Sequence, residues 1–341
     1  MAAIEAVDLA KIYRVHQKPQ GLTGSIRSLF RRRYKQVRAV DGISFTIEPG
    51  EMVGFLGPNG AGKTTTLKIL SGLIYPTRGC VRVLDFIPQE RKNAYRRQFA
   101  LLMGQKNQLW WDLPAIESFR LHKEIYAVED ASFNRVQGEL TELLEVTDLL
   151  HQPVRELSLG ERMKMELIAA LLHSPSILFL DEPTIGLDVV AQAGIRRCLR
   201  EYNRQNKVTI LLTSHYMQDI ESLCDRVMVI NHGKLMHDGP LREIVDRFAD
   251  YKVLTLRFHD GRMPDRLDGI GEVVELNPPK VALRLPRESV AGQISRLLGD
   301  YQIDDISVED PPIEDVISRM YQTVKADSPS SAMREKETTR A

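Results

Sequence analysis

Five apolar residues, "MVGFL" (52–56), run straight into "GPNGAGKTT" and then into "TTLKILSGL", whose apolar positions recur at helical spacing. A short, wholly apolar run bounded by turn residues is the pattern of a strand buried on both faces. A strand, a glycine loop and a helix in that order point to an α/β protein. The loop consists of Gly57, Pro58, Asn59, Gly60, Ala61, Gly62, Lys63, Thr64 and Thr65, and it fits the spacing G-x-x-x-x-G-K-[ST]. Glycines let backbone N–H groups close around an anion without a Cβ in the way. The helix N-terminus adds partial positive charge. Lys63 would reach the β- and γ-phosphates of a nucleotide, and the Thr64 hydroxyl would bind Mg²⁺. A plain glycine turn between strand and helix is the competing reading.

Two more runs have the character of buried strands, "SILFL" (176–180) and "VTILLTS" (208–214). The first leads into Asp181 and Glu182, at the strand end where a parallel sheet presents its ligand crevice. Asp181 is expected to hold Mg²⁺ through water, and Glu182 to polarise an attacking water. Two acids at a strand end would also suit helix capping. His215 directly follows the second run. Between the two runs and the phosphate loop lies "VRELSLGERMKMEL" (154–167), where Ser158 and Gly160 stand at the start of a helix. A small hydroxyl and a glycine at a helix start form a second place suited to an anion.

Together these motifs resemble the ATP-binding subunit of ABC transporters, over about residues 4–240. Gly57–Thr65 is similar to Walker A, and Asp181 and Glu182 to the end of Walker B. "LSLGE" (157–161) is similar to the signature motif, "GLD" with Asp188 to the D-loop, and His215 to the switch histidine. Gln105, in "LLMGQKNQLWW", resembles the glutamine that touches Mg²⁺ and the membrane partner. Tyr13 sits where the family places an aromatic that stacks on adenine, although an edge-strand aromatic that simply packs is the alternative. The resemblance implies a P-loop NTPase fold: a RecA-like core with an antiparallel β subdomain and a helical subdomain. It implies Lys63, Gln105, Glu182 and His215 as the catalytic set, and Thr64, Gln105 and Asp181 as the Mg²⁺ site. Two such subunits pack head to tail, so Ser158 and Gly160 would contact ATP held by a second copy, and Asp188 is also implied as an ATP-binding residue. The usual signature is L-S-G-G-Q. Here Leu159 narrows the backbone choices, and Glu161 places a carboxylate near phosphates unless it points away.

The chain's organisation follows from changes in texture. Residues 1–240 are expected to form the ATPase domain, with a helical subdomain at about 106–161 and a basic insertion at about 17–38. Formal net charge is zero, yet Leu9–Val40 holds nine Lys or Arg and no acid, while 300–315 is strongly acidic. After Pro240, "YKVLTLRF", "GEVVEL" and "KVALRLP" read as strands and about 288–298 as a helix, a small α+β domain spanning 241–324. The polar tail 325–341 reads as disordered. The three cysteines are too scattered for a disulfide or zinc framework.

No apolar run approaches the roughly 18–20 residues that span a bilayer, so the expectation is a cytoplasmic protein, peripheral on the inner face of the cell membrane. The partners implied are a second ATPase subunit and separate permease subunits of a type-2 export system, with ATP and Mg²⁺ as cofactors. The basic insertion could rest on an anionic membrane surface or be a solvated loop. Trp110 and Trp111 could be a core pair or part of a permease-binding groove. The rival function is a soluble ABC ATPase acting on ribosomes or nucleic acid, although no nucleic-acid partner is expected. The cargo is not written in the sequence.

Overall fold

The computed structural model describes residues 1–16, 34–104, 106–259 and 269–326. The sequence expectations for Gln105, for residues 17–33 of the basic insertion and for the tail from residue 327 lie outside the described residues. The chain divides into two compact units, Met1–Gly239 and Pro240–Ala341.

In the first unit, six strands lie in the order β5-β6-β7-β3-β8-β9: Phe99–Met103, Ile177–Asp181, Thr209–Thr213, Met52–Leu56, Arg226–Asn231 and Lys234–Pro240. The pairs from β5 through β8 are parallel. β6 and β7 are buried along their whole length, as their unbroken apolar sequences require. β8 and β9 are joined through His232 and Gly233, both with positive φ, the geometry of a tight hairpin turn.

A second sheet, β2-β1-β4, is antiparallel and is built from Tyr34–Ile47, Ile4–His16 and Arg78–Val83. Ile4, Leu9, Ile43, Phe45 and Ile47 from this sheet share one core with Val53, Phe55, Phe179, Leu211 and Met228. β2 begins at Tyr34, so the last residues of the stretch expected as a basic insertion are strand, with His16 opposite Tyr34 and Tyr13 opposite Val37. β4 is followed by a bridge from Val83 to Phe86. The helices Ala115–Tyr126 and Asp130–Leu143 bury Phe119, Phe133, Val136 and Leu140, and both pack on the helix Leu159–Leu171.

The second unit holds a four-stranded antiparallel sheet, β11-β12-β10-β13: Glu272–Asn277, Lys280–Pro286, Tyr251–Phe258 and Ile303–Glu309. The helix Val290–Asp300 covers one face, with Leu297 against Leu254, Leu256, Phe258 and Leu283. The helix Ile313–Ala326 packs on Leu241–Phe248.

One buried acid stands out. Glu166, on Leu159–Leu171, is 2% exposed, and its Oε2 has no partner among the described residues. Burial raises its pKa to about 7, against a hydrogen bond from the Gln108 backbone and the charge of Arg162, both of which favour the carboxylate. An acid whose pKa is higher in the folded state binds more protons when folded. Its charged form therefore costs stability, increasingly as pH rises from about 4.5 through 7. Glu166→Gln should raise the thermal midpoint at pH 8, by the equivalent of about 1–3 kcal/mol, and change it little at pH 5. Thermal melts of both proteins at the two pH values read this directly.

Candidate functional site

The phosphate loop joins β3 to the helix Lys63–Leu70. Gly62 has φ +116, and a Cβ there would stand 2.2 Å from the Ala39 carbonyl oxygen, so only glycine fits. Lys63 is buried, and its Nζ donates to the carbonyls of Gly57 at 2.6 Å and Pro58 at 3.3 Å. Desolvation lowers its pKa, while the nearby carboxylates of Glu182 and Asp181 act in the opposite direction.

Asp181 ends β6 directly opposite Thr213 of β7. The Thr64 hydroxyl donates to its Oδ2 at 2.8 Å, and the Thr213 hydroxyl to its Oδ1 at 2.8 Å. Glu182 follows at φ +57, a left-handed conformation rare for a residue with a Cβ and typical of sites where geometry outweighs strain. Its N–H is held by the Thr213 hydroxyl at 3.1 Å and the Thr213 carbonyl at 3.0 Å. His215 Nε2 lies 2.8 Å from Glu182 Oε1. The N–H of Gly104 bonds the Asp181 carbonyl at 2.9 Å, which fixes the residue before Gln105. Lys63, Thr64, Asp181, Glu182 and His215 thus form one constellation. Thr213 belongs to it and was not singled out from sequence; a hydroxyl at the end of the neighbouring buried strand was the only available signal.

Ser158, Gly160 and Asp188 form a second cluster. Ser158 caps the helix Leu159–Leu171, its hydroxyl accepting from the Glu161 N–H at 3.3 Å. The Glu161 carboxylate turns back onto the Ser158 N–H at 2.8 Å, a reciprocal capping box. The charge that departs from the usual signature is therefore spent on capping its own helix. Asp188 caps Val189–Asn206 by accepting from the Ala191 N–H at 2.9 Å. The two helix starts touch: a Cβ on Gly160 would lie 2.7 Å from the Ala191 Cβ. Leu159 lies over Gly186, where an added Cβ would meet its Cδ2 at 3.4 Å, an ordinary contact distance.

Tyr13 is partly exposed on β1, with the Lys11 ammonium 5.3 Å from its ring centroid. Trp110 and Trp111 are 52% and 46% exposed, so the core-pair reading fails. Arg162 lies over the Trp111 ring at 5.4 Å.

The family description "ABC transporter" matches residues 40–185, and "EvrA-like ABC transporter, C-terminal domain" matches 250–309. The chain is 32% identical over 217 residues to the ABC transporter ATP-binding protein NatA of Bacillus subtilis, covering 64% of this chain and 88% of that protein. It is 35% identical over 248 residues to the Nod factor export ATP-binding protein I of Burkholderia pseudomallei, covering 72% and 81%. A solved ATP-binding subunit of an ABC transporter superposes with TM-score 0.59 at 27% identity, over 72% of this chain and 93% of that one. The dimeric ATP-binding cassette MJ0796 bound to ADP and Pi superposes with TM-score 0.58 at 21% identity, over 70% and 99%, a likeness of fold. With a glycine loop between strand and helix, a strand-end acid pair and two capped helix starts on that fold, the chain belongs to the ATP-binding, ATP-hydrolysing subunits of ABC transporters.

Proposed function

We propose that this chain works as a head-to-tail pair of ATPase subunits, the second copy being identical or related, which powers export through separate membrane permease subunits. In this reading residues 1–240 form the ATPase domain and 241–324 an accessory domain that supports the pair, with the chain peripheral on the cytoplasmic face of the membrane. The observation that carries the pairing is the surface around the second cluster. Leu159, Val189 and Val190 are 40%, 73% and 79% exposed, immediately beside the two helix starts capped by Ser158 and Asp188. Apolar side chains rimming an anion-binding helix terminus suit a partner surface that brings a phosphate with it. The Nod factor export protein among the relatives supports the export direction.

The residues fit Mg²⁺. Thr64 and Asp181 present hard oxygen donors 2.8 Å apart, and no group of three or more His, Cys, Asp or Glu that could hold a metal occurs among the described residues. An ion held by one or two protein oxygens and completed by phosphates and water has that donor set. Thr64, Asp181 and, by resemblance, Gln105 would hold it. When bound it would neutralise charge on the β- and γ-phosphate oxygens.

Lys63 and the backbone amides of 60–65 hold the phosphates. Glu182 orients a water in line with the γ-phosphorus and takes its proton as the bond to the β–γ bridging oxygen breaks. His215 fixes Glu182 through Nε2 and steadies the γ-phosphate, while Tyr13 stacks on the adenine. Ser158 and Gly160 of the second copy close over the γ-phosphate, and Asp188 lines that interface. Loss of the phosphate on hydrolysis removes the shared anion, so the pair opens.

Glu182→Gln should lower kcat about 100-fold or more and retain ATP in a paired state. Gel filtration with ATP and a steady-state phosphate assay test this, and parent-like turnover would refute the role. Lys63→Ala should instead weaken nucleotide binding itself, measured with a fluorescent ATP analogue. Val190→Glu places a charge on the proposed contact surface. It should leave ATP binding intact, lower hydrolysis about tenfold, and make the rate per molecule rise more steeply with protein concentration than in the parent.

A further inference from the structure

The residue before His215 and the second residue after Glu182 donate to the same buried carboxylate. Asp219, on Met217–Leu223, accepts from the Ser214 hydroxyl at 2.7 Å and the Thr184 hydroxyl at 2.5 Å, both on Oδ2. Its Oδ1 accepts from Arg196 Nη1 at 2.9 Å. Asp219 is 1% exposed and Arg196 7%. Arg196 stands about two turns inside the helix capped by Asp188. One turn in, Gln192 Nε2 donates to the carbonyls of Leu187 at 3.2 Å and Thr184 at 3.4 Å. The Ser214 hydroxyl also accepts from the Tyr216 N–H at 3.0 Å.

Three segments therefore converge on one carboxylate: the turn 182–188 leaving Glu182, the loop 213–216 carrying His215, and the helix beginning at Asp188. Charge-assisted bonds to a buried acceptor are short and directional, so they fix relative position more tightly than apolar packing does. None of these bonds points at the phosphate loop.

We propose that Asp219 is a positioning residue for hydrolysis. It holds the Glu182–His215 pair in register with the helix capped by Asp188, so that closure of Asp188 against a second copy is passed to the pair. The inference rests on the paired-subunit reading above. It assigns to Asp219 a step after nucleotide binding: the residue governs turnover and leaves ATP affinity alone.

The test uses the full chain and measures ATP hydrolysis across ATP concentrations, nucleotide-analogue binding and thermal melting. The variants are Asp219→Asn and the double variant Asp219→Asn with Arg196→Gln. Asparagine keeps the shape and lets both hydroxyls stay hydrogen-bonded, while the charge is lost. The double variant leaves no unpaired buried guanidinium, which separates a folding defect from a positioning defect. The expected result is a kcat lower by about tenfold or more in both variants, with KM for ATP and analogue affinity within about twofold of the parent and the double variant's midpoint recovered. A folded double variant with parent-like kcat, or a loss that falls on KM, would overturn the proposal. So would failure of both variants to fold, which would assign Asp219 to folding alone. Glu182→Gln is run alongside. If the parent hydrolyses ATP, Glu182→Gln does not, and the Asp219 variants are unimpaired, only the positioning role falls. If the parent itself shows no hydrolysis, the functional reading falls with it.

Discussion

The Asp181 carboxylate is the point on which the site's geometry depends, because three neighbouring strands end there. β6, β7 and β3 are adjacent and parallel, so their C-terminal ends open on one edge of the sheet. β3 delivers the phosphate loop and Thr64, β6 delivers Asp181 and Glu182, and β7 delivers Thr213 and the loop to His215. One oxygen of Asp181 takes the Thr64 hydroxyl and the other takes Thr213. The same carboxylate, with Glu182, also opposes the desolvation of the buried Lys63 ammonium. Without those two acids, burial would lower the pKa of this lysine further.

The second cluster obeys a different constraint, since its two capped helix starts lie side by side. Helix starts carry partial positive charge, and Ser158 and Asp188 each consume only part of the N–H set at their helix. The turned-back carboxylate of Glu161 matters here. A free acid at this point would repel an incoming phosphate, whereas one fixed on the Ser158 amide contributes a cap and lies on its own helix's side of the cluster.

What was legible in the sequence follows from where each element's partners lie. β3, β6 and β7 could be read because burial on both faces leaves uninterrupted apolar runs, and the phosphate loop and acid pair because their partners are contiguous in the chain. β5, "FALLM", was missed because it is short and only partly buried, with two helical turns just before it. β13 was hidden inside the acidic stretch: Asp304, Asp305 and Glu309 are exposed while Ile303 and Ile306 face the core, the pattern of an edge strand that pairs with β10 alone. The start of β2 was obscured by its charges, because hairpin arms that extend into solvent need no apolar alternation. Thr184 and Asp219 left no local trace, and Thr213 only a hydroxyl at a strand end. Apart from Ser214, five residues from Asp219, their side-chain partners lie 23 to 35 residues away.

The chemistry of the Asp219 cluster bears on why such a group is present at all. Burying a carboxylate and a guanidinium costs much of what their attraction returns, and an apolar pair of similar volume would often serve stability as well. Apolar contacts, however, tolerate small sliding, and a turn leaving Glu182 could then shift against the loop of His215. In the proposed mechanism the separation of those two side chains sets whether a water held by Glu182 is aligned on the phosphate steadied by His215, and errors of about 1 Å there are costly to rate. A directional acceptor shared by both loops and by the helix capped by Asp188 removes that freedom. Its partners stand two residues after Glu182 (Thr184), one before His215 (Ser214) and about two turns from Asp188 (Arg196), which is the arrangement a positional role demands.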